Sequence, residues 1–267
     1  MLTRLLAAVI GLALLLPTLI WGGPLGLQVV VGFAILVCLD EYARMSFPDD
    51  YVGAMAWLVP ASAAIFFAPL VFGAQALGVA MMLGTLGSFA WVVLRPGTSL
   101  EGASDRVGRA LLGLAWIPGT LTFLPMLRER ESGLLWVALV MVIPWSSDTG
   151  GYFAGRLFGR TPLAPRVSPK KTVEGLVGGL ALASGALFAV RATLFPSLTV
   201  PEVLGMGIGL GIVGVIGDLA ESLVKRSFGV KDSGWIMPGH GGLLDRIDAL
   251  MFIGPLLYAW ASIRGAG

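Results

Sequence analysis

The chain has 267 residues, of which 56% are hydrophobic and only 13% are charged, and its mean hydropathy is +0.86. These values exclude a soluble globular domain of this length and indicate an integral membrane protein. The formal net charge of +2 is too small to indicate a nucleic-acid partner, and the lone Cys38 excludes an intramolecular disulfide.

Nine apolar runs are long enough to predict membrane spans, since a span needs about 20 mainly apolar residues. They cover residues 2–21, 25–39, 51–71, 74–94, 107–126, 133–147, 176–195, 203–224 and 249–263. The first run follows Arg4 and resembles a secretory leader, but it has no small-x-small cleavage site and more spans follow, so we expect a retained helix. The sequence therefore predicts an all-α, polytopic membrane protein with about nine transmembrane helices.

The basic residues are distributed unevenly between the two ends of these spans. With nine spans and a cytoplasmic amino terminus, all but four of the 18 Lys and Arg residues fall in cytoplasmic loops. The exceptions are Arg128, Arg130, Arg191 and Arg264. The positive-inside rule favours this orientation, which places both dense polar segments, 148–174 and 225–248, on the cytoplasmic side. We therefore expect a multi-pass protein of the inner membrane whose polar site faces the cytoplasm.

The first dense polar segment lies between the sixth and seventh runs. Asp148 stands at the inner end of an apolar run, where a carboxylate is costly without a function. Further along, Ser168, Pro169, Lys170, Lys171 and Thr172 precede the next helix, whose first N–H groups favour a bound anion. These residues predict a phosphate site. The alternative is that Thr172 and Glu174 only start that helix.

Glycines recur in the eighth run at positions 205, 207, 209, 211, 214 and 217. A nucleotide-binding loop would need a preceding strand, which is missing from the pattern. Small residues also let transmembrane helices approach closely, and we favour that interpretation.

Four residues of the same run fall on one face of a helix: Asp218, Glu221, Ser222 and Lys225. Their offsets of 0, 3, 4 and 7 match the helical period, so this face must meet protein interior or a watery cavity. Asp245 and Asp248 repeat an i, i+3 pair where the last helix begins. Carboxylates in such a cavity are the ligands expected for Mg²⁺. Alternatively, the two aspartates cap that helix and pair with Arg246 or Lys225.

Basic and glycine-rich positions surround these carboxylates. Phosphates bound through Mg²⁺ still carry charge, which basic side chains can neutralise. Candidates for this role are Lys225, Arg226, Lys231 and Arg246. Alternatively, these basic residues only flank the cytoplasmic end of a span, as the positive-inside rule predicts, and this alternative is strongest for Arg226. His240 is predicted to donate a hydrogen bond to phosphate or to act as an acid/base group rather than as a metal ligand. The loop from Gly239 to Gly242 can turn N–H groups toward an anion.

At these motifs the chain resembles the phosphatidate cytidylyltransferases, the CDP-diacylglycerol synthases. The carboxy-terminal signature comprises Ser222, Lys225, Arg226, Lys231, Asp232, Pro238, His240, Gly241, Gly242, Asp245, Arg246, Ile247 and Asp248. The two other similar segments contain Asp148, Thr149, Tyr152, Gly155 and Arg156, and then Ser168 to Gly175. The motifs cover about residues 140–255, and the amino-terminal half is similar only in its pattern of spans.

The resemblance implies transfer of CMP from CTP to phosphatidic acid, which yields CDP-diacylglycerol and pyrophosphate for phospholipid synthesis. It also implies a Mg²⁺ requirement, with one or two cations, and a homodimer whose polar cavity opens to cytoplasm and lipid. On this basis we assign 1–132 to amino-terminal transmembrane helices and 133–267 to a catalytic region.

The same resemblance assigns roles to individual residues. Asp218, Asp245 and Asp248 are the predicted metal ligands. Lys225, Lys231 and Arg246, with Asp148, are the predicted catalytic residues. The predicted substrate-binding residues are Ser168, Lys170, Lys171, Thr172, Ser222, Arg226, His240, Gly241 and Gly242.

Three alternatives belong to other functional classes. A secondary transporter would also place charges and broken helices in its core, but it would show paired halves, and the sequence has no such repeat. A CTP-dependent lipid kinase would also bind a nucleotide, a metal and a membrane lipid, but it would transfer the terminal phosphate of CTP to a lipid alcohol and release CDP. A structural scaffold leaves Asp218, Asp245 and Asp248 unexplained.

Overall fold

The computed structural model describes residues 17–18, 20–95, 100–234 and 241–265. Ten α-helices occupy most of these residues: α1 Gly23–Ser46, α2 Tyr51–Phe72, α3 Ala76–Leu94, α4 Ala103–Leu121, α5 Phe123–Arg128, α6 Gly133–Phe158, α7 Val173–Thr193, α8 Val200–Leu204, α9 Gly211–Ser227 and α10 Leu244–Ile263. A 3₁₀ turn, Pro48–Asp50, precedes α2, and a π-helix, Gly205–Leu210, joins α8 to α9.

Eight helical segments in the described part of the chain are long and apolar enough to cross a membrane. They match the last eight predicted runs one for one, so a helix long and apolar enough to span a membrane is confirmed at each of these runs. The first predicted run, 2–21, falls almost wholly outside the described residues. Several helices extend beyond the predicted apolar run into polar sequence: α6 continues to Phe158 and α10 begins at Leu244. As a result, Asp148, Asp245 and Asp248 all stand on helices.

Contacts within the chain define two compact units. The first contains Met1–Glu129 with Asp232–Leu244, and the second contains Arg130–Lys231 with Asp245–Gly267. The segment that precedes α10 therefore belongs by its contacts to the amino-terminal unit.

The first unit is built from α1 to α5, with α2, α3 and α4 packed pairwise. Tyr42 of α1 is fully buried, and its ring meets Trp116 edge-on with the centroids 6.4 Å apart. Its hydroxyl donates a hydrogen bond of 2.7 Å to the carbonyl of Arg109. Large apolar side chains such as Phe33, Phe67 and Phe89 remain exposed, as a lipid-facing surface requires.

The second unit is held together by close helix contacts at glycines. The most extensive pairing joins α6 to α7, where a Cβ on Gly150 would lie 2.5 Å from the carbonyl oxygen of Gly178. In the glycine-rich stretch, Gly205 faces Trp260, Gly207 faces Ser184, and Gly217 faces Phe252. The helix-packing interpretation is therefore confirmed at these positions, and Gly209 is the exception, with no described atom within 4 Å of its Cβ position.

A short antiparallel hairpin was missed by the sequence analysis. Strands β1, Pro162–Ala164, and β2, Ser168–Thr172, pair with Pro162 opposite Thr172 and Ala164 opposite Ser168. The hairpin ends directly at α7, because Thr172 is the N-cap of that helix and its hydroxyl accepts a hydrogen bond of 3.1 Å from Gly175 N. The all-α prediction holds for the membrane-spanning part of the described chain.

Candidate active site

Polar residues from four elements of the second unit meet at one place. Asp148 comes from α6, Lys171 from β2, Asp218 from α9 and Asp248 from α10. Helices α9 and α10 approach closely because Gly217 has no side chain. A Cβ there would lie 3.0 Å from the carbonyl oxygen of Asp248 and 2.9 Å from the ring of Phe252. This glycine therefore brings Asp218 and Asp248 close together.

We call Asp148, Lys171, Asp218 and Asp248 the carboxylate cluster. Lys171 Nζ forms a 2.6 Å ion pair with Asp218 Oδ2. Asp148 interacts electrostatically with Asp218, Lys171 and the neighbouring Arg246, and Asp248 interacts with Asp218, Asp148 and Lys171. The side chains of Lys171 and Asp218 are 25% and 33% exposed, so an incoming ligand can reach them. Three carboxylates around one ammonium leave an excess of negative charge, which favours a bound cation.

A second, buried group lies one to two helical turns further along α9. Lys225 Nζ contacts Glu221 Oε2 at 2.6 Å and Asp245 Oδ1 at 2.5 Å. The three side chains are only 10%, 2% and 6% exposed, respectively. No described donor reaches Glu221 Oε1, although this atom is buried. We call Glu221, Lys225 and Asp245 the buried triad, in which two carboxylates share one ammonium.

The carboxylate cluster is the candidate site for Mg²⁺. In the described residues, no group of three acidic, histidine or cysteine side chains is gathered tightly enough to hold an ion by itself. Mg²⁺ normally uses one or two carboxylates and completes its shell with water and substrate phosphates. Asp218 and Asp248 offer such hard oxygen ligands beside Asp148, so these residues fit an ion shared with a nucleotide. Asp245 is instead paired with Lys225.

The hairpin residues take different positions. Lys171 belongs to the carboxylate cluster, whereas Lys170 is exposed and Ser168 lies half-buried opposite Ala164. The hydroxyl of Thr172 caps α7, so the helix-start alternative accounts for this residue. Glu174 likewise accepts hydrogen bonds from the backbone N–H groups of Arg160 and Thr161.

The remaining predicted residues are spread over both units. In the second unit, Ser222 is half-buried, while Arg226 and Lys231 are exposed, and Arg226 donates to the carbonyl of Val230 at 3.2 Å. Gly241 and Gly242 belong to the first unit. His240 and Gly239 lie outside the described residues.

Two glutamates were missing from the predicted site. Glu221 lies on the polar face of α9, and its helical spacing from Asp218 and Lys225 could have placed it in the predicted site. Glu41 of α1 is 2% exposed and accepts hydrogen bonds from the backbone of Leu243 and Leu244. In the sequence, Glu41 is marked only as an acidic residue beside an apolar run. Its hydrogen-bond partners could not be predicted, because they lie about 200 positions away.

The cytidylyltransferase family matches residues 2–263, and the chain belongs to this family. It is therefore a membrane-embedded enzyme of the nucleotidyltransferase class. Curated relatives are named phosphatidate cytidylyltransferase. The protein of Staphylococcus aureus strain COL is 33% identical over 256 residues, which cover 95% of this chain and 96% of the relative. The protein of Staphylococcus haemolyticus is 32% identical, and the match again covers 95% of this chain and 96% of the relative. The protein of Bacillus subtilis strain 168 is 40% identical over 58% of each chain. The resemblance found in the motifs is confirmed.

Proposed function

We propose that this chain is a phosphatidate cytidylyltransferase, which transfers CMP from CTP to phosphatidic acid and releases pyrophosphate. The observation that carries this conclusion is the membership of the chain in the cytidylyltransferase family, together with three aspartates on membrane-spanning helices that meet the ammonium of Lys171 from β2. Ionisable residues in membrane-spanning segments are costly, which supports a functional site at this cluster.

In the reaction, an oxygen of the lipid phosphate attacks the α-phosphorus of CTP. The bond between the α-phosphorus and the α–β bridging oxygen breaks, and pyrophosphate leaves with that electron pair. The attacking phosphate monoester is already ionised near neutral pH, so no general base is required. Positioning and charge neutralisation can supply most of the lowering of the barrier.

Six of the described site residues have a proposed part in this step. Lys171 of the carboxylate cluster and the neighbouring Arg246 would bind phosphate oxygens of CTP or of the lipid. Asp218 and Asp248 would hold Mg²⁺, and the ion would neutralise triphosphate charge when bound. Lys225 fixes Asp245 at the start of α10, and Asp245 would join the metal ligands only if Lys225 moved toward substrate.

The orientation in the membrane is part of the proposal. The distribution of basic residues supports a cytoplasmic position for the carboxylate cluster, where soluble CTP can enter, in a bacterial inner membrane. The homodimer and the roles of Lys170, Lys231 and His240 stay predictions that rest on the family resemblance.

The fate of two phosphates tests the activity. Purified protein in detergent is given phosphatidic acid, Mg²⁺ and CTP labelled separately at the α and γ phosphates. We expect α label in the lipid and γ label in pyrophosphate. Appearance of γ label in the lipid would show a kinase, and no transfer to any lipid would favour a transporter.

A further inference from the structure

Glu41 is a buried carboxylate that the reaction itself does not use. Its Oε1 accepts a hydrogen bond of 2.8 Å from Leu243 N, and its Oε2 accepts one of 2.9 Å from Leu244 N. The hydroxyl of Ser233 donates to Oε2 as well, at 3.1 Å. All of these residues belong to the first unit. A charge buried in this way is retained only where hydrogen bonds compensate its lost hydration, and here three donors do so.

Two glycines make room for this carboxylate. A Cβ on Gly234 would lie 2.7 Å from Glu41 Oε1, and one on Gly242 would overlap Glu41 Oε2 and Ser233 Oγ. Neither glycine has a positive φ, so the backbone conformation does not require glycine at these positions. Contact with Glu41 is therefore the reason for both glycines. It also accounts for Gly242 without a phosphate-binding loop.

The bonded N–H groups stand where α10 begins. Leu244 is the first residue of α10, and Asp245, Arg246 and Asp248 follow within one turn. Backbone N–H groups at a helix start have no partner inside the helix, and they favour a negative charge. Glu41 supplies that charge from a residue 203 positions earlier in the chain.

We propose that Glu41 is a positioning residue, whose carboxylate fixes the start of α10 and thereby the placement of Asp245, Arg246 and Asp248. The proposal deepens the function given above, and its kinetic consequence rests on that function. A carboxylate can accept from both N–H groups at once. A glutamine in its place has one carbonyl oxygen and would turn an NH₂ donor toward the second N–H group.

The first experiment compares Glu41→Gln and Glu41→Asp with a control, Asp40→Asn. Asp40 lies on the same helix and binds Arg44 and Tyr51, away from the start of α10. We expect Glu41→Gln to lower kcat by about 10- to 100-fold and to raise the KM for CTP, because small displacements of reacting groups are costly. Glu41→Asp should recover part of the loss because it keeps the charge, and the control should match wild type. Wild-type kcat and KM in Glu41→Gln would overturn the proposal.

A second readout does not depend on activity. Hydrogen exchange of the full-length protein in detergent reports the amides of Leu243 and Leu244 directly. These amides should exchange at least about 10-fold faster in Glu41→Gln, since their acceptor is lost. Unchanged exchange would contradict the proposal even where activity falls. If wild type transfers no CMP, the proposed function fails, and the exchange result still decides whether Glu41 holds the start of α10.

A double-mutant cycle separates positioning from general damage. Gly234→Ala should reduce activity because its methyl group meets Glu41, and the same change in a Glu41→Ala background should cost little more, because the space is vacated. Additive losses would overturn the proposal. If Glu41→Gln yields no folded protein, Gly234→Ala alone decides the matter: its methyl group meets Glu41, so the amides of Leu243 and Leu244 should exchange faster, and unchanged exchange would overturn the proposal.

Discussion

Lys225 has an unusual position for a lysine in a membrane-spanning helix, since it is nearly buried between two carboxylates. A buried ion pair adds little net stability compared with apolar packing, but removal of one partner leaves an uncompensated charge. In the buried triad, loss of the ammonium would leave Glu221 and Asp245 facing each other as like charges. Lys225 therefore has a structural role as well as its proposed place in the site.

Substitution Lys225→Met tests this structural role. We expect the free energy of unfolding to fall by about 3–5 kcal/mol, because two buried carboxylates lose their partner. Thermal denaturation in detergent measures the change, and the exposed Lys170→Met is the matched control, with a shift near zero. Adding Glu221→Gln should recover part of the stability. A Lys225→Met protein as stable as wild type would contradict the structural role of Lys225.

Asp248 gives a prediction about turnover rather than stability. Asp248→Asn keeps the size of the side chain but removes a charge from the carboxylate cluster. We expect activity to fall by about 100-fold or more, as for loss of a preorganised electrostatic group in other active sites. CMP transfer measured on folded, monodisperse protein gives the result, and the exposed Asp49→Asn serves as control. Activity close to wild type in Asp248→Asn would remove this residue from the metal site.

At the scale of elements, the contact between α9 and α10 determines the geometry of the site. Gly214 and Gly217 both face α10, the former against Ile253. Close approach at these glycines aligns Asp218 with Asp248 without a loop. The site is thus built on rigid helices, and its precision depends on the distance between them.

Gly217→Ala should increase that distance. The added methyl group would meet backbone at Asp248, so the helices must move apart, at a cost of about 1–3 kcal/mol in stability and with reduced CMP transfer. Gly209→Ala in the same glycine-rich stretch is the control, because its Cβ position is open among the described atoms. Thermal denaturation and activity assays on both variants give the comparison. Equal behaviour of the two would argue against a packing role for Gly217.

The elements that the sequence predicted well are those with a strong local signal. Hydropathy located eight spans, because about 20 apolar residues in a row rarely occur outside a membrane-spanning helix. The β1–β2 hairpin was missed because its strands are only three and five residues long and contain proline and lysine, which are poor strand formers. Its pairing depends on a turn rather than on a periodic pattern.

In the candidate site as well, contacts within one helix could be predicted from the sequence, whereas contacts between different elements could not. Helical spacing identified Glu221 and Lys225 as neighbours on one face of α9, which their ion pair confirms. Spacing could not reveal that Lys171 pairs with Asp218 or that Asp245 pairs with Lys225, since those contacts join different elements. The hydrogen bonds of Glu41 join even more distant positions. The metal assignment of Asp218, Asp245 and Asp248 stays a prediction.

At the scale of the whole molecule, the side of the membrane that a polar segment occupies can be tested at a single helix, α6. Helix α6 separates Glu131, at its amino-terminal end, from Arg166 in the turn of the hairpin. Both residues are exposed. If α6 crosses the membrane, these two positions must lie on opposite sides.

Cysteine labelling tests the orientation. Wild type should react poorly with a membrane-impermeant maleimide, because its lone Cys38 is fully buried. We expect Arg166→Cys to react only when the cytoplasmic side is accessible, and Glu131→Cys to react from the opposite side. Intact cells and inverted membrane vesicles provide the two conditions. The reverse pattern would place the carboxylate cluster on the outer face and would contradict the proposed entry of CTP.

The long-range hydrogen bonds of Glu41 also bear on how the protein is made. Glu41 leaves the ribosome 203 residues before Leu244. Translation at about 5–20 residues per second takes roughly 10–40 s to proceed from Glu41 to the residues that donate hydrogen bonds to its carboxylate. The first unit stays incomplete until the end of that interval, although its helices α1 to α5 have all been synthesised once residue 128 is reached. Completion of the amino-terminal unit therefore depends on nearly full translation, and a chain that stopped before residue 232 would leave a buried carboxylate without its partners.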